Sequence, residues 1–387
     1  MRPALFALAA STLALAAAIP TACAAPGSAA QTEAVQGEVG WTVEADPGQR
    51  AKQTVQFALT RRTANSRWMH SNTRPLADLP GLTAAQLASE AGAPVSFRLD
   101  RDSGTIVCTG IARRWRGTGD CRFQANAGFA AALAERGYGR PGEGQLFSLA
   151  LHDIGHSYID ELKRQGYSPP TVADLVRAGD HGANLDYLKG MGGRGYRVGN
   201  LAALINMRDH GVTPDYVGEL ARLGVADLSA REVVRLRDHG VTPDFVAAFR
   251  TAGYELTLDQ LIRLRDHGVS PDYVRQLERH GLQRLPADQL VQLRDHGVSA
   301  DFVGEAARHG YRFPTDQLIR LRDHGVTSHY LRELKDLGYA RLAADDIVRL
   351  RSHAVTADFI RRVNASGGGR RSAAELVSLR IGGWAER

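Results

Sequence analysis

The residues most able to do chemistry stand together at His152-Asp153-Ile154-Gly155-His156. Two imidazoles four residues apart, with a carboxylate between them, would share one face of a continuous helix. Such a pair can ligate a metal or begin a phosphohydrolase site. Gly155 argues against that helix, because it falls at a turn between two short helices and sends the two rings to different faces. The further His and Asp ligands that such a site needs on other long helices are not evident. His152 reads instead as one member of a series.

The series is the string Arg-Asp-His-Gly-Val, which starts at Arg208, Arg237, Arg265, Arg294 and Arg322. Degenerate copies stand at 179–183 and 351–355, the stretch 146–152 aligns one step earlier, and a ninth copy fades out over 376–382. The histidines at 181, 210, 239, 267, 296, 324 and 353 are separated by 28 or 29 residues. Stacked helices sit about 8–10 Å apart, so equivalent imidazoles are too distant to share one Zn, whose nitrogen donors lie ~2.0–2.1 Å from it. Each His is better read as closing its helix at the negative end of the dipole. No catalytic residue, metal or cofactor is expected, and the chain is not read as an enzyme.

The Asp before each His needs an explanation, since a carboxylate in a last helical turn opposes the dipole. The expected one is an inter-repeat ladder. It would join Asp209, Asp238, Asp266, Asp295 and Asp323 to Arg208, Arg237, Arg265, Arg294 and Arg322 of the same or adjoining units. The same ten residues form the candidate binding stripe. The glycine-rich stretch 190–195 does not follow a strand, and it reads as a flexible turn between units, not a phosphate loop.

These residues must be held by short helices, two per unit. In the copy from Thr257 to Leu282, Thr257 and Gln260 make a capping box. Leu261 and Leu264 share a face, with His267 one further step along it. Gly268 is the left-handed cap and Val269 folds back onto the helix. Ser270 caps the second helix and Pro271 takes its first position. A lone pair of such helices is not stable in water. About eight or nine units over residues 126–387 must therefore stack as an α-solenoid.

Residues 37–125 have a different rhythm. Val39, Trp41 and Val43 alternate with polar residues, as do Val55, Phe57 and Leu59, and Val95, Phe97 and Leu99. Period-two alternation marks half-buried strands. A small antiparallel β domain, sandwich or half-barrel, is expected, with one short helix near 83–87. The fold class is α+β. Residues 1–24 read as a signal peptide cleaved after Ala24, and 25–36 as a disordered leader. Cys23 also permits a lipoprotein. That export would leave Cys108 and Cys121, either as a disulfide or as two buried thiols. The Ala- and Arg-rich composition suits a bacterial protein of the periplasm or exterior. The formal charge of +6 favours anionic partners.

The string Leu-Arg-Asp-His-Gly-Val-Thr-Pro-Asp-Phe/Tyr-Val resembles helical repeats that follow the peptidase portion of some bacterial membrane metallopeptidases of the beta-lactam-sensor type. Those repeats also occur in free-standing secreted proteins. The resemblance covers roughly residues 37–387, and it implies no established activity. The chain has no His-Glu-x-x-His motif, so peptidase activity is not implied. The sequence reading is an exported, non-catalytic interaction scaffold that binds a protein or an anionic envelope polymer through the array. One alternative is an enzyme accessory or hydrolase with a site at the junction of β domain and array, near His152. The other is nucleic-acid binding, because the Gly-Val-Thr/Ser-Pro turns resemble helix-turn-helix units.

Overall fold

The structure is a computed structural model and describes residues 39–62, 67–367 and 369–384. The expected signal peptide, leader and Cys23 lie outside these residues. Six antiparallel strands come first: β1 (Val39–Glu44), β2 (Thr54–Arg62), β3 (Arg67–Pro75), β4 (Ala93–Arg101), β5 (Gly104–Arg113) and β6 (Arg116–Ala125). They form one sheet in the order β3-β2-β1-β6-β5-β4. The expected helix is α2 (Ala84–Ala88), capped by Thr83 and Gln86. A further short helix, α1 (Pro47–Ala51), carries its own capping box of Asp46 and Gln49.

The sheet is one curled layer, so the half-barrel of the two expected forms is the one observed. Strands β1 and β4 are three strand spacings apart, about 14 Å in a flat sheet. Their side chains Trp41 and Phe97 nevertheless meet edge to face, with ring centroids 4.9 Å apart. Phe57 of β2, one strand further, lies 5.9 Å from the same ring. Glycines allow the curl. Gly110 and Gly119 face each other across β5 and β6. A Cβ on Gly119 would lie 2.0 Å from the Thr109 carbonyl oxygen, and one on Gly117 would lie 2.8 Å from the Trp41 ring. Trp41 Nε1 donates to Thr109 O at 3.0 Å, which satisfies the buried indole. Cys108 and Cys121 are cross-strand partners and form a disulfide.

From Ala127 onward the described secondary structure is helical, and each helix is nine residues long. The series runs α3 (Ala127–Glu135), α4 (Glu143–Leu151), α5 (His156–Arg164), α6 (Val172–Asp180), α7 (Leu185–Gly193) and on to α20 (Ala373–Ile381). Even-numbered helices pack on even-numbered ones, such as α4 on α6 and α18 (Ala344–Ser352) on α20. Odd-numbered helices pack on odd, such as α5 on α7. This is a two-layer α-solenoid with one continuous apolar core from Phe129 to Val377.

The local reasons are those the sequence suggests. Thr257 N–H donates to Gln260 Oε1 at 3.0 Å, and Gln260 N–H returns a bond to Thr257 Oγ1 at 3.3 Å. Gly268 is left-handed at φ 66°, and Val269 N–H donates to Leu264 O at 2.8 Å. That is the backbone pattern of a Schellman cap.

One expectation is corrected. Gly190, Gly192 and Gly193 belong to helix α7 and not to a flexible turn. The cause is close packing: a Cβ on Gly192 would lie 2.4 Å from the Gln165 carboxamide, and one on Gly190 2.7 Å from Pro214.

The half-barrel and the array share material. Phe147, Ala150 and Leu151 of α4 are buried in the core of the half-barrel, beside Trp41, Phe97 and Cys108. Phe123 of β6 stacks edge to face on Phe147 at 5.4 Å. The β unit therefore closes the N-terminal end of the solenoid. No helix among the described residues is long and apolar enough to cross a membrane.

Candidate functional site: the repeat signature and its junction with the half-barrel

Each signature His sits at the C-cap of an even-numbered helix, not on its buried face. Its ring crosses to the next unit. Nδ1 of His181, His210, His239, His267 and His296 lies 2.7–2.8 Å from Oδ1 of Asp209, Asp238, Asp266, Asp295 and Asp323 respectively. A carboxylate can only accept, so Nδ1 carries the proton and donates. The ladder ends at His324, which meets Ser352 Oγ at 3.2 Å in the degenerate copy. These side chains keep 39–46 % of their exposure, so the ladder runs along a solvent edge.

The expected Asp–Arg ladder is thus replaced by an Asp–His ladder. The reason is what the arginines do instead. Arg208, Arg237, Arg265, Arg294 and Arg322 lie over the rings of Tyr187, Tyr216, Phe245, Tyr273 and Phe302 of the preceding unit, 5.2–5.5 Å from the centroids. That is cation–π distance. Arg322 Nε also donates to Gly297 O at 3.0 Å. The guanidinium is committed to the turn of the previous unit and does not meet the signature Asp.

Two further columns were not read from the sequence. Tyr187, Tyr216 and Tyr273 donate their hydroxyls to the carbonyls of Val212, Val241 and Val298 of the next unit, at 2.7–3.0 Å. Burial pushes the Tyr216 and Tyr273 hydroxyls up to about 12, so they stay protonated donors. Where Phe302 stands in that slot, Arg322 Nη1 takes over and bonds Val326 O at 3.0 Å. The second column is an Arg–Asp ladder made by other residues. Arg235 meets Asp259 at 2.7 Å, Arg263 meets Asp288 at 2.6 Å, and Arg320 meets Asp345. The sequence signal was there, as a basic residue 24–25 positions before an acid in the first turn of the next even-numbered helix.

At the junction the ladder changes form. His152 closes α4, Asp153 is left-handed at φ 56°, and Gly155 caps α5, so His152 and His156 lie on different helices. His152 turns its Nε2 to Asp180, 3.1 Å away, and only 11 % of its side chain is exposed. His70 of β3 meets the His152 ring edge to face at 4.9 Å. The half-barrel thereby adds its own imidazole to the head of the column. Burial, then the neighbouring His152 and Arg74, hold His70 below the usual imidazole range. Burial also lowers His152, and Asp180 acts against it.

The β4–β5 turn is docked on the same corner. Asp102 Oδ2 accepts from the His156 backbone N–H at 2.7 Å and caps α5, a role its glycine cap cannot fill. A Cβ on Gly155 would lie 2.3 Å from that oxygen. Arg101 Nε lies 3.2 Å from Asp153 Oδ1. Chemically this corner is a clamp. Its imidazoles, carboxylates and guanidinium are turned toward one another.

No protein-family model matches the chain, and the search of curated proteins finds no match. Its class rests on the fold: an α-solenoid of two-helix units rooted in a six-stranded half-barrel and carrying a structural disulfide. Disulfides persist in oxidising compartments outside the cytoplasm, and Cys108–Cys121 points to such a location.

Proposed function

We propose that this protein is an exported, non-catalytic scaffold whose solenoid binds a protein or an anionic envelope component. One observation carries the reading: the Arg-Asp-His groups that look catalytic in sequence bond from each unit to the next. Residues spent on holding units in register leave a stiff, repetitive surface, which is what extended recognition uses. Export to the periplasm or cell exterior agrees with the disulfide and with the small-residue site at 22–24.

A second reading places enzymatic chemistry at the junction, and the His70–His152–Asp180 group favours it. The two are separated by immobilising the full chain and exposing it to an envelope fraction. The solenoid and half-barrel are kept together because α4 belongs to both cores. Retained material that elutes with unchanged mass supports the scaffold. Chemical conversion of that material, abolished in His152→Ala and Asp180→Ala, would replace it with the junction enzyme.

A further inference from the structure

The two long edges of the solenoid differ in charge. One edge holds the signature turns, where each Arg lies on an aromatic ring and each Asp meets a His. The other edge holds the connections from an odd-numbered helix to the next even-numbered one. There one slot, two residues before the helix cap, changes character along the array. It is Asp227 and Glu255 in two successive units, then Arg284, Arg312, Arg341 and Arg370 in the next four. Arg370 is engaged with the Gly338 carbonyl and the Tyr339 ring. Arg284, Arg312 and Arg341 are exposed and make no ion pair among the described residues. Arg279, at the end of its helix on the same edge, is also exposed and makes no ion pair among the described residues.

Clefts open along this edge between successive connections. One of 140 Å3 is lined by Arg312 and the half-buried Phe313, whose ring stacks at 5.7 Å on Tyr311 buried beneath it. Others of 420 and 510 Å3 stand nearer the half-barrel, where the slot is acidic: they are lined by Arg197, Tyr196 and Asp227, and by Arg250, Tyr254 and Glu255. An arginine beside an aromatic ring suits an acidic sugar, whose carboxylate takes the guanidinium and whose apolar ring face takes the aromatic.

Building on the scaffold reading, we propose that the edge centred on Arg284, Arg312 and Arg341 is the docking surface for a linear acidic polysaccharide bearing one carboxylate per disaccharide. The unit spacing sets the match. Stacked helices repeat every ~8–10 Å, the length scale of two pyranose rings. The phosphates of a nucleic-acid duplex strand repeat every ~3.4 Å and are out of step with one arginine per unit. An extracytoplasmic location also places the edge among envelope glycans and not nucleic acids.

The test is binding of the full chain, by calorimetry or biolayer interferometry at low and at physiological salt, to a polysaccharide of alternating glucuronate and N-acetylglucosamine. Dextran, poly-glutamate and single-stranded DNA are the comparison probes. The edge variant is Arg284→Glu/Arg312→Glu/Arg341→Glu. The control variant, Lys52→Glu/Arg122→Glu/Arg349→Glu, makes the same charge change at exposed basic residues off this edge. Circular dichroism confirms that both are folded. The edge variant should lose roughly tenfold or more in affinity as three ion contacts go, and the control less than about threefold through the general field. Equal losses in the two variants overturn the proposal, as does tighter binding to poly-glutamate or DNA than to the glycan. If the glycan fails to bind but the edge variant still loses the retained envelope component, the scaffold stands and only the partner assigned here is wrong.

Discussion

Removing one rung of the Asp–His ladder tests the central structural claim. His267 Nδ1 lies 2.7 Å from Asp295 Oδ1, and the side chains are 40 % and 44 % exposed. Exposed pairs couple by about 0.2–1 kcal/mol, and the short, aligned bond puts this one near the top of that range. Asp295 is also the last residue of its helix, Ala287–Asp295, where a carboxylate costs about 0.3–1 kcal/mol against the dipole. The two effects nearly cancel in Asp295→Ala, which should change local stability by less than about 0.5 kcal/mol. His267→Ala should cost about 1 kcal/mol, because it leaves the carboxylate and its dipole penalty unpaired. The double variant should then show a coupling of about 0.5–1 kcal/mol between the two positions. Solenoids open locally, so the readout is native-state hydrogen exchange at the Val269 and Val298 amides, which bond Leu264 O and Leu293 O. Coupling of Asp295 to Arg265 or Arg294 in place of His267 would refute the ladder.

Acidification should loosen the junction first. His70 and His152 are held below the usual 6.5 by burial, so the folded state resists their protonation. Their contribution is complete above pH 6.5 and is lost as pH falls from there toward the lowered folded-state values. The thermal midpoint followed by tryptophan fluorescence should fall between pH 7 and 5, and His70→Asn should flatten that dependence. Tyr273→Phe should cost about 1 kcal/mol by urea denaturation, because the Val298 carbonyl loses its hydroxyl donor. The loss shrinks if Arg294 moves over as Arg322 does in the Phe302 unit. Reduction of Cys108–Cys121, which are 13 positions apart in sequence, should destabilise the half-barrel by up to about 3 kcal/mol in calorimetry with and without dithiothreitol.

The helices were legible because their signals are local and recur in most units. Caps such as Thr257 with Gln260, and stops such as Gly268 with Val269, act within one turn of chain and need no partner. Partner choice between units was less legible. Arg265 and Asp266 are adjacent in sequence, yet one reaches back to Phe245 and the other accepts from His239 of the same preceding unit. Which one meets the imidazole depends on the angle at which successive helices cross, and no residue type encodes that. Strand alternation predicted the β unit, but choosing a half-barrel over a sandwich needed the glycines at 110, 117 and 119 to be read as sites of close approach to Trp41 and the facing strand. Gly192 misled because glycine signals both a turn and a helix pressed against a neighbour, here Gln165. The role of His70 was invisible, since only the fold brings β3 against α4's end.

The conspicuous part of a repeat and its working surface need not coincide. A residue that recurs in every unit satisfies a contact that every unit makes, and the signature Arg, Asp and His are all engaged across the inter-unit seam. A slot that varies from unit to unit is under no such constraint. The slot occupied by Asp227, Glu255, Arg284, Arg312 and Arg341 reverses its charge midway along the array while the nine-residue helices persist, and the helix cap that follows it changes from Ser229 and Thr257 to Pro286, Pro314 and Ala343. Inter-unit packing does not require that reversal, because even helices stack on even and odd on odd on both sides of it. It does create a solenoid whose C-terminal half presents a row of unpaired arginines at a polymer-like spacing. Glu255→Arg together with Arg341→Glu would therefore leave the fold unchanged and move the row of three arginines one unit toward the half-barrel. A purely structural role for the arginines predicts instead a loss of stability with no change in where a ligand binds.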